Sequence, residues 1–365
     1  MPAKIPFLDL SRFPKKLQTE LKNKFSELLE KGIFSGSEEV EILEAELKKY
    51  LGAPFLSVCS NGTDALEIAL RALNIGQGDD VIVPALSWVS TAEVVLLCGA
   101  RPVFIDTNSE GLIDLSLLDQ VYTSKTKAII PVHLYGNLVD MPTLIDWAKI
   151  KQVKVIEDAA QAFGAFQGNC SAGLFGDIGC FSFYPTKNFG ALGEAGALTC
   201  KDEELARKLK ALINHGQIKR DHHILVGRNA RIDTLQAGFL NTILPYFEPW
   251  QKQRKFLAHV YLEELKHLEW LKLPRDIEKS THNAHLFTVQ CRERDQLKSY
   301  LEEKGVGTSI HYPRIIPKMK PYLFDQNFTA SEQLVSHVLS LPLNPFLSQQ
   351  EVLHICKLIK NFKLK

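Results

Sequence analysis

The sequence predicts an α/β protein whose central sheet is mostly parallel, followed by a smaller α+β region. Short apolar runs alternate with helical patterns between residues 55 and 200. Apolar runs without polar alternation are typical of strands that helices cover on both faces of a parallel sheet. The pattern changes after Asn241 to a long amphipathic stretch, 243–268. We therefore expect a large domain at 1–245 and a small C-terminal domain at 246–365.

The expected elements follow one another along the chain. Apolar runs predict strands at 55–59, 80–85, 101–106, 128–136, 154–158, 180–185 and 196–200. Helical patterns lie between them at 64–74, 91–99 and 142–152, and a further one follows at 202–216. The pattern of 289–313 predicts a strand, a helix and a second strand. In open α/β sheets ligands bind beyond the carboxyl ends of the strands, so polar residues there are the first candidates for a site.

The composition excludes several classes of function. Lys and Arg number 43 against 42 Asp and Glu, a formal net charge of +1, so there is no overall field for nucleic acid or an anionic membrane surface. No apolar run approaches the roughly 18 residues that span a membrane. The seven cysteines are scattered, which favours reduced thiols in a cytoplasmic protein. We expect no metal, because the adjacent His222 and His223 cannot easily converge on one ion.

A polar turn separates the first strand from its helix in the segment SNGTDALEIALRAL, 60–73. Backbone N–H groups at a helix start, together with the helix dipole, make an anion site that suits phosphate. Gly62 permits close approach of a ligand, and Thr63 adds a hydroxyl group. A capped helix start with Asp64 in its first turn explains the same residues. The pattern alone leaves both interpretations open.

Asp158 ends a buried strand in the segment IEDAAQAFGA, 156–165. A carboxylate in such a position needs a partner. The protonated nitrogen of a pyridoxal ring is a suitable partner, since pyridoxal enzymes need an acid there to keep the ring charged. A helix N-cap directly after the strand is the alternative interpretation.

Lys187 lies after a strand and Pro185 in the glycine-rich segment FSFYPTKNFGALGEAGAL, 181–198. A lysine held near an apolar strand end can have a lowered pKa and form a Schiff base. Ser182, a few residues before Lys187, is a candidate to contact the same phosphate as Thr63. A single lysine in a loop is usually a solvated charge. The surrounding motifs therefore have to decide whether Lys187 forms a Schiff base.

Six motifs in order resemble the nucleotide-sugar aminotransferases of the DegT/StrS type: SNGTDAL, PALSWVSTAE, IEDAAQ, FSFYPTKNFGALGEAG, NHG and GRNARIDTLQA. The resemblance extends from PFLDL at 6–10 to SLPLNPFLS at 340–348. It implies fold type I of the pyridoxal 5'-phosphate (PLP)-dependent transferases, with PLP as cofactor. It also implies transfer of an amino group, with L-glutamate as donor, to a nucleotide-linked keto-sugar, through a pyridoxamine phosphate (PMP) form of the cofactor.

The resemblance implies roles for individual residues. Lys187 matches the lysine that binds PLP covalently and shuttles the proton between the sugar carbon and the cofactor. Asp158 matches the partner of the ring nitrogen, and Gln161 matches the contact of the cofactor's 3-hydroxyl. Trp88 matches the aromatic residue that stacks on the ring. The residues that match the phosphate site are Gly62, Thr63 and Ser182.

Further matches imply a homodimer whose active site is shared between subunits. Asn229 matches an asparagine that reaches the phosphate in the neighbouring subunit, and Arg231 is expected to face the sugar or its anionic groups. His311 and Tyr312 match residues at the mouth of the substrate site. A turn anchored by Pro313 is an equally good interpretation of that segment.

The loop after Lys187 indicates the class of sugar. It reads KNFGALGEAG, which resembles members that act on 3-keto sugars, whereas 4-keto members often have KxITTGEGG. This implies amination at C3 of a substrate such as UDP-N-acetyl-3-oxo-glucuronic acid or a dTDP-3-keto-6-deoxyhexose, for lipopolysaccharide O-antigen or related amino-sugar biosynthesis. Glu194 and Ala230 depart from the usual Asp and Ser, which leaves the sugar open.

Four other functions compete with this interpretation. Amination at C4 needs the same cofactor site, and a catalytically silent relative would serve in binding or regulation. A sugar dehydratase of the same fold is disfavoured, because such enzymes replace the lysine with histidine and this chain keeps Lys187. A Rossmann-type dehydrogenase is disfavoured by the lack of GxGxxG after a strand near the N-terminus.

Overall fold

A seven-stranded sheet forms the centre of the computed structural model, which describes residues 4–275, 277–324 and 326–363. The strands are β1 (Phe55–Cys59), β2 (Asp80–Pro84), β3 (Arg101–Ile105), β4 (Thr126–Ile129), β5 (Lys154–Asp158), β6 (Phe166–Gln167), β7 (Cys170–Ser171), β8 (Ile178–Ser182), β9 (Gly196–Cys200), β10 (Gln217–Lys219), β11 (His222–His223), β12 (Phe287–Gln290) and β13 (Val338–Leu341). The order across the large sheet is β1-β9-β8-β5-β4-β2-β3.

Helices surround this sheet and form most of the C-terminal part. They are α1 (Lys15–Lys31), α2 (Glu38–Leu51), α3 (Gly62–Ala72), α4 (Ser90–Leu97), α5 (Leu118–Val121), α6 (Met141–Lys151), α7 (Glu203–Ile213), α8 (Thr234–Leu265), α9 (Arg294–Glu303), α10 (Thr329–His337) and α11 (Gln349–Asn361). Across the described ranges, no helix has the length and apolar character required to traverse a bilayer.

The strand directions confirm the predicted α/β class with a mostly parallel sheet. The neighbours β8, β5, β4, β2 and β3 all pair in parallel. Only β9 is reversed within this sheet, and it pairs antiparallel with both β1 and β8. The carboxyl ends of the parallel strands therefore lie along one edge, where a ligand site is expected.

One predicted strand is wrong. The residues before His311 do not form the second strand of the C-terminal sheet, because β12 pairs instead with β13. The segment touches β13 at a single bridge, between Ser309 and Ser340. It then turns toward the large sheet, where the Tyr135 hydroxyl donates a hydrogen bond to the His311 carbonyl.

A separate hydrophobic cluster holds the C-terminal elements together. It packs Leu257 and Tyr261 of α8 against Phe287 of β12, Leu297 of α9 and Ile355 of α11. The predicted domain boundary between residues 245 and 246 falls inside the continuous helix α8. The division into two domains at that point therefore stays a prediction.

A buried carboxylate fixes the loop between β7 and β8. Glu157 is completely buried, and its oxygens accept hydrogen bonds from the backbone N–H groups of Gly173 (2.8 Å), Phe175 (2.6 Å) and Gly176 (2.7 Å). The imidazole Nε2 of His133, also completely buried, lies 3.0 Å from Glu157 Oε2. Buried polar groups are tolerated when they are paired in this way, so Glu157 contributes stability while it keeps its partners.

We expect Glu157→Ala to lower the free energy of unfolding by at least about 3 kcal/mol, because each buried donor left unpaired costs about 1–3 kcal/mol. Urea unfolding at one protein concentration measures this change. Glu303→Ala, at the exposed end of α9, is the matched control and should stay within about 0.5 kcal/mol of the wild type. A Glu157→Ala variant as stable as that control would contradict the anchoring role.

Candidate active site

Asp158 occupies the last position of β5 and is almost completely buried. Its Oδ2 accepts a hydrogen bond from the Thr91 hydroxyl at 2.9 Å, and its Oδ1 accepts one from the Ala160 backbone N–H at 3.2 Å. Burial raises the pKa of Asp158, while these two hydrogen bonds and the positive charge of Lys187 lower it. The carboxylate is thus held in one orientation at the edge of the sheet.

The turn before α3 and the end of β8 come together as the sequence predicts. Asn61 caps the helix by accepting a hydrogen bond from the Asp64 backbone N–H at 2.8 Å. A Cβ added to Gly62 would lie 2.7 Å from the Cβ of Ser182, so only glycine allows this close approach. The Thr63 hydroxyl lies 2.8 Å from the Ser90 hydroxyl. The N-terminus of α3 and a set of hydroxyl groups therefore converge, as an anion site requires.

Lys187 follows β8, and its charge and that of Asp158 influence each other's pKa. Its backbone N–H donates to the Tyr184 carbonyl at 2.8 Å, which closes a turn after β8. Burial lowers the pKa of the Lys187 amine to about 8, although the negative charge of Asp158 works against this shift. A large fraction of the amine is then neutral near pH 8, as a nucleophilic lysine requires.

Gln161 links the sheet to the C-terminal part of the chain. Its Oε1 accepts a hydrogen bond from the Tyr135 backbone N–H at 2.6 Å, and its Nε2 donates to the Tyr312 hydroxyl at 2.9 Å. The ring of Tyr312 lies 5.8 Å from that of Trp88, centroid to centroid. Trp88 is 58% exposed, so part of its ring is free to contact a ligand.

His311 is fixed beside these residues in a neutral form. A hydrogen bond of 2.8 Å joins its Nδ1 to the Ser340 hydroxyl. Burial, followed by the positive charge of Lys187, lowers the pKa of His311 to about 4. The imidazole therefore carries no charge at neutral pH and is suited to hydrogen bonding rather than to pairing with an anion.

Asn229 and Arg231 flank Ala230, whose carbonyl accepts a hydrogen bond from the Ser60 backbone N–H at 2.7 Å, just before the turn that begins α3. Both are exposed, and Arg231 Nε donates to Asn229 Oδ1 at 3.1 Å. Asn229 also forms a bridge with Asn214 in the segment that precedes the β10–β11 hairpin. In the parts of the chain described, no hydrogen bond joins either residue to Lys187 or Asp158. The role predicted for them in a neighbouring subunit stays a prediction.

A buried network next to Lys187 has no counterpart in the sequence-based prediction. The Asn188 amide donates to Gln251 Oε1 (2.8 Å) and to the Asn283 carbonyl (2.9 Å), and its Oδ1 lies 2.9 Å from His285 Nδ1. The Asn283 amide in turn donates to the Gln161 carbonyl at 2.8 Å. The sequence indicates Asn188 only through its position next to Lys187, and no motif points to His285.

The histidines near the β10–β11 hairpin do not form a metal centre. His222 and His223 are exposed, and His223 Nδ1 lies 2.9 Å from the His215 carbonyl. Within the described ranges, no group of three or more His, Cys, Asp or Glu side chains is arranged to hold a metal ion.

Comparison with known proteins identifies the family to which this site belongs. The model of the DegT/DnrJ/EryC1/StrS aminotransferase family matches residues 15–360. The chain belongs to this family. It is therefore a PLP-dependent aminotransferase, as the sequence motifs predict, and the fold expected from the resemblance is confirmed.

Individual relatives of this aminotransferase match nearly its whole length. The UDP-N-acetyl-3-dehydro-alpha-D-glucosamine 3-aminotransferase of Acidithiobacillus ferrooxidans is 39% identical over 98% of this chain and 97% of its own. The dTDP-3-amino-3,6-dideoxy-alpha-D-galactopyranose transaminase of Aneurinibacillus thermoaerophilus is 38% identical over 98% and 99%. The crystal structure of NtdA from Bacillus subtilis with bound cofactor PMP superimposes with a TM-score of 0.91 at 32% identity, covering 98% of this chain and 86% of that one.

Buried neutral histidines make the stability of this aminotransferase depend on pH. Burial lowers the pKa of His282 to about 3 and that of His285 well below its usual value. The unfolded chain binds protons at these groups near pH 6.5, whereas the folded chain does not, so stability is lost as the pH falls below about 6.5. For one such group, the loss between pH 7.5 and pH 5 is about 2 kcal/mol.

We predict that His282→Asn reduces this loss by about 2 kcal/mol, because the substitution removes one titrating group. The Asn Oδ1 can replace His282 Nδ1 as acceptor for the Ala284 backbone N–H, now 2.9 Å away. Urea unfolding of wild type and variant at pH 7.5 and pH 5 gives the difference. His267→Asn, at an exposed position just after the end of α8, is the control and should leave the pH dependence unchanged. Equal losses in wild type and His282→Asn would contradict the prediction.

Proposed function

We propose that this aminotransferase transfers an amino group from L-glutamate to C3 of a nucleotide-linked 3-keto-sugar, with Lys187 as the residue that binds PLP. The observation that carries the proposal is the position of Lys187, whose amine has a pKa lowered to about 8 beside the buried carboxylate of Asp158. When bound, PLP supplies an aldehyde that takes up amino groups covalently and a ring that accepts the electrons left on a deprotonated carbon.

The phosphate of PLP fits the N-terminus of α3. The backbone N–H groups there and the hydroxyls of Thr63 and Ser182 are donors that phosphate requires. A side chain at Gly62 would collide with Ser182, whose Cβ lies 2.7 Å from the position of an added Cβ, so glycine is what lets the turn and Ser182 lie side by side. We assign these three residues to phosphate binding on this basis.

The ring of PLP fits the residues at the ends of β2 and β5. A buried, charged Asp158 is the partner that keeps a proton on a pyridine nitrogen. The exposed ring of Trp88 offers an aromatic face. The Gln161 amide is held by hydrogen bonds with Tyr135 and Tyr312, and the Tyr312 ring in turn lies beside Trp88. We propose Trp88 for stacking and Gln161 for the contact with the 3-hydroxyl.

Lys187 is proposed as the residue that moves the proton during the transfer. An amine with a pKa of about 8 accepts a proton and releases it again at neutral pH with little change in free energy. Lys187 can thus take the proton from the donor's carbon and return one to the sugar carbon. His311 and Tyr312, which reach the site from the C-terminal part, are proposed as uncharged contacts of the sugar.

The choice of C3 rests on relatives and on the loop after Lys187. Both relatives described above have names that specify amination of a sugar at C3, one linked to UDP and one to dTDP. The loop sequence KNFGALGEAG resembles the same group. We propose that the product enters amino-sugar biosynthesis, with surface polysaccharide such as O-antigen as its use.

A homodimer with a shared active site is part of the proposal. The β10–β11 hairpin and the residues after it expose Ile218, Ile224 and Val226, the last 89% exposed, next to Asn229. Exposed apolar side chains of this kind favour contact with another subunit. We propose that Asn229 and Arg231 complete the site of the partner, and that the dimer is cytoplasmic, since all seven cysteines are free thiols.

The test of this function uses the purified protein loaded with PLP. We expect L-glutamate to bleach the visible absorbance of the cofactor, and a 3-keto-sugar to restore it with release of an amino-sugar. The panel contains UDP-N-acetyl-3-oxo-glucosamine, UDP-N-acetyl-3-oxo-glucuronic acid and a dTDP-3-keto-6-deoxyhexose, with a dTDP-4-keto-6-deoxyhexose as comparison. Product mass and NMR identify the aminated carbon, and amination only of the 4-keto sugar would show that C3 is wrong.

Lys187→Ala is the control for the cofactor assignment. Without an amine at this position the visible absorbance of the Lys-bound cofactor should be lost, together with turnover. Retention of the wild-type spectrum would show that another residue binds PLP. Lys208→Ala, at a partly exposed position of α7 whose amine donates to Asn74 Oδ1 at 2.6 Å, should leave spectrum and turnover unchanged.

The shared site predicts complementation between two inactive variants. A dimer of one Lys187→Ala subunit and one Asn229→Ala subunit has one site with both residues intact, if each site draws them from different subunits. Random reassociation makes half of the dimers hybrid, so we expect about one quarter of the wild-type turnover. Co-expression followed by an activity assay measures this. Turnover no higher than that of the separate variants would mean that the two residues act within one subunit.

A further inference from the structure

Two hydroxyl groups in series end on the carboxylate of Asp158. The Ser87 and Thr91 hydroxyls lie 2.9 Å apart, and the Thr91 hydroxyl lies 2.9 Å from Asp158 Oδ2. Thr91 is completely buried and Ser87 is 2% exposed, so water does not compete for either group. These two residues come from the segment after β2, which also carries Trp88.

The direction of these hydrogen bonds follows from the proton count. An ionised carboxylate only accepts, so Thr91 donates its single hydroxyl proton to Asp158. Thr91 then has only lone pairs to offer Ser87, and Ser87 must donate to Thr91. The chain runs from Ser87 through Thr91 to Asp158, and every donor points toward the carboxylate.

This hydrogen bond opposes the effect of burial on Asp158. Burial is the largest influence on the pKa of Asp158 and raises it, and the Thr91 hydrogen bond is the largest influence that lowers it. A hydrogen bond to a charged group is stronger than one between neutral groups. A buried carboxylate that lost this donor would retain one backbone hydrogen bond, from Ala160.

We propose that Thr91 is a positioning residue for the amino transfer: its hydroxyl, oriented by Ser87, holds the Asp158 carboxylate charged and directed at the ring nitrogen of PLP. The inference rests on the proposed function of Asp158. It adds Thr91 and Ser87 as residues on which the function of Asp158 depends. Neither is among the residues that the sequence motifs assign to the cofactor. Thr91 acts through Asp158.

Thr91→Val and Thr91→Ser separate the hydroxyl from the shape of the side chain. Valine keeps the volume and removes the donor, and we expect kcat to fall about 10- to 100-fold, the range for a lost hydrogen bond to a charge. The KM for the keto-sugar should change little, because Thr91 does not contact the sugar. Serine restores the donor and should recover most of the lost turnover, which a packing role of the threonine methyl would not predict.

A spectroscopic readout tests the charge on Asp158 directly. PLP labelled with 15N at the ring nitrogen reports by NMR whether that nitrogen carries a proton. In wild type and Thr91→Ser we expect the protonated position. In Thr91→Val the resonance should move toward the unprotonated value, and in Ser87→Ala it should move less in the same direction.

Asp158→Asn, measured in parallel, separates failure of this inference from failure of the proposed function. Wild-type turnover and an unchanged 15N position in Asp158→Asn would overturn the assignment of Asp158, and this inference with it. An impaired Asp158→Asn beside a Thr91→Val variant with wild-type kcat and 15N position would overturn the inference alone. Equal impairment of Thr91→Val and Thr91→Ser would do the same.

If Thr91→Val does not fold, Ser87→Ala tests whether the two hydroxyl groups support Asp158. This substitution removes one hydroxyl at the start of the chain and leaves Thr91 in place. A decrease in kcat together with a shift of the 15N resonance supports the inference. Wild-type values of both quantities in a folded Ser87→Ala protein would overturn the role of the hydroxyl chain.

Discussion

The arrangement of the site depends on one constraint, which is that the carboxyl group of Asp158 is buried at the end of β5, where burial disfavours its charged form. Burial raises its pKa and lowers that of Lys187, so the protein interior pushes both groups toward their neutral forms. Their mutual attraction and the Thr91 hydrogen bond oppose this effect. The result is a carboxylate held by hydrogen bonds and an amine that changes its protonation near neutral pH. Both properties come from the same low-dielectric surroundings.

The alternation of side chains along β5 separates a structural carboxylate from a functional one. Glu157 and Asp158 are neighbours in sequence, so their side chains point to opposite faces of the sheet. Glu157 accepts three backbone hydrogen bonds and lies beside His133, so both of its carboxylate oxygens have partners. Among the residues that the structure describes, the Asp158 carboxylate accepts two hydrogen bonds, from Thr91 and Ala160, and keeps lone pairs for a further donor. The difference in the number of partners is what makes one an anchor and the other a candidate ligand contact.

Sequence patterns predicted those parts of the site that depend on strand ends. Gly62, Ser182 and Asp158 each adjoin a strand, and strand ends of a mostly parallel sheet share an edge, so their convergence follows from the fold class. Thr91 and His285 could not be predicted, because their partners lie 67 and 97 residues away in sequence. The antiparallel direction of β9 could not be predicted either, since a five-residue apolar run carries no information on its direction in a sheet. The misplaced strand before His311 has the same cause, as pairing with β13 is decided by tertiary contacts.

The anchoring of Lys187 suggests how sugar recognition can vary while the chemistry stays fixed. Asn188, directly after the lysine, is held by hydrogen bonds with Gln251 of α8 and with Asn283 and His285. Asn283 also binds the Gln161 carbonyl, so the lysine and the proposed 3-hydroxyl contact share one support. Residues 190–196 are the remainder of the loop tied to sugar class, and their side chains take no part in this network. Substitutions at 190–196 can therefore reshape the proposed sugar site without removing the hydrogen bonds that hold Asn188 beside Lys187.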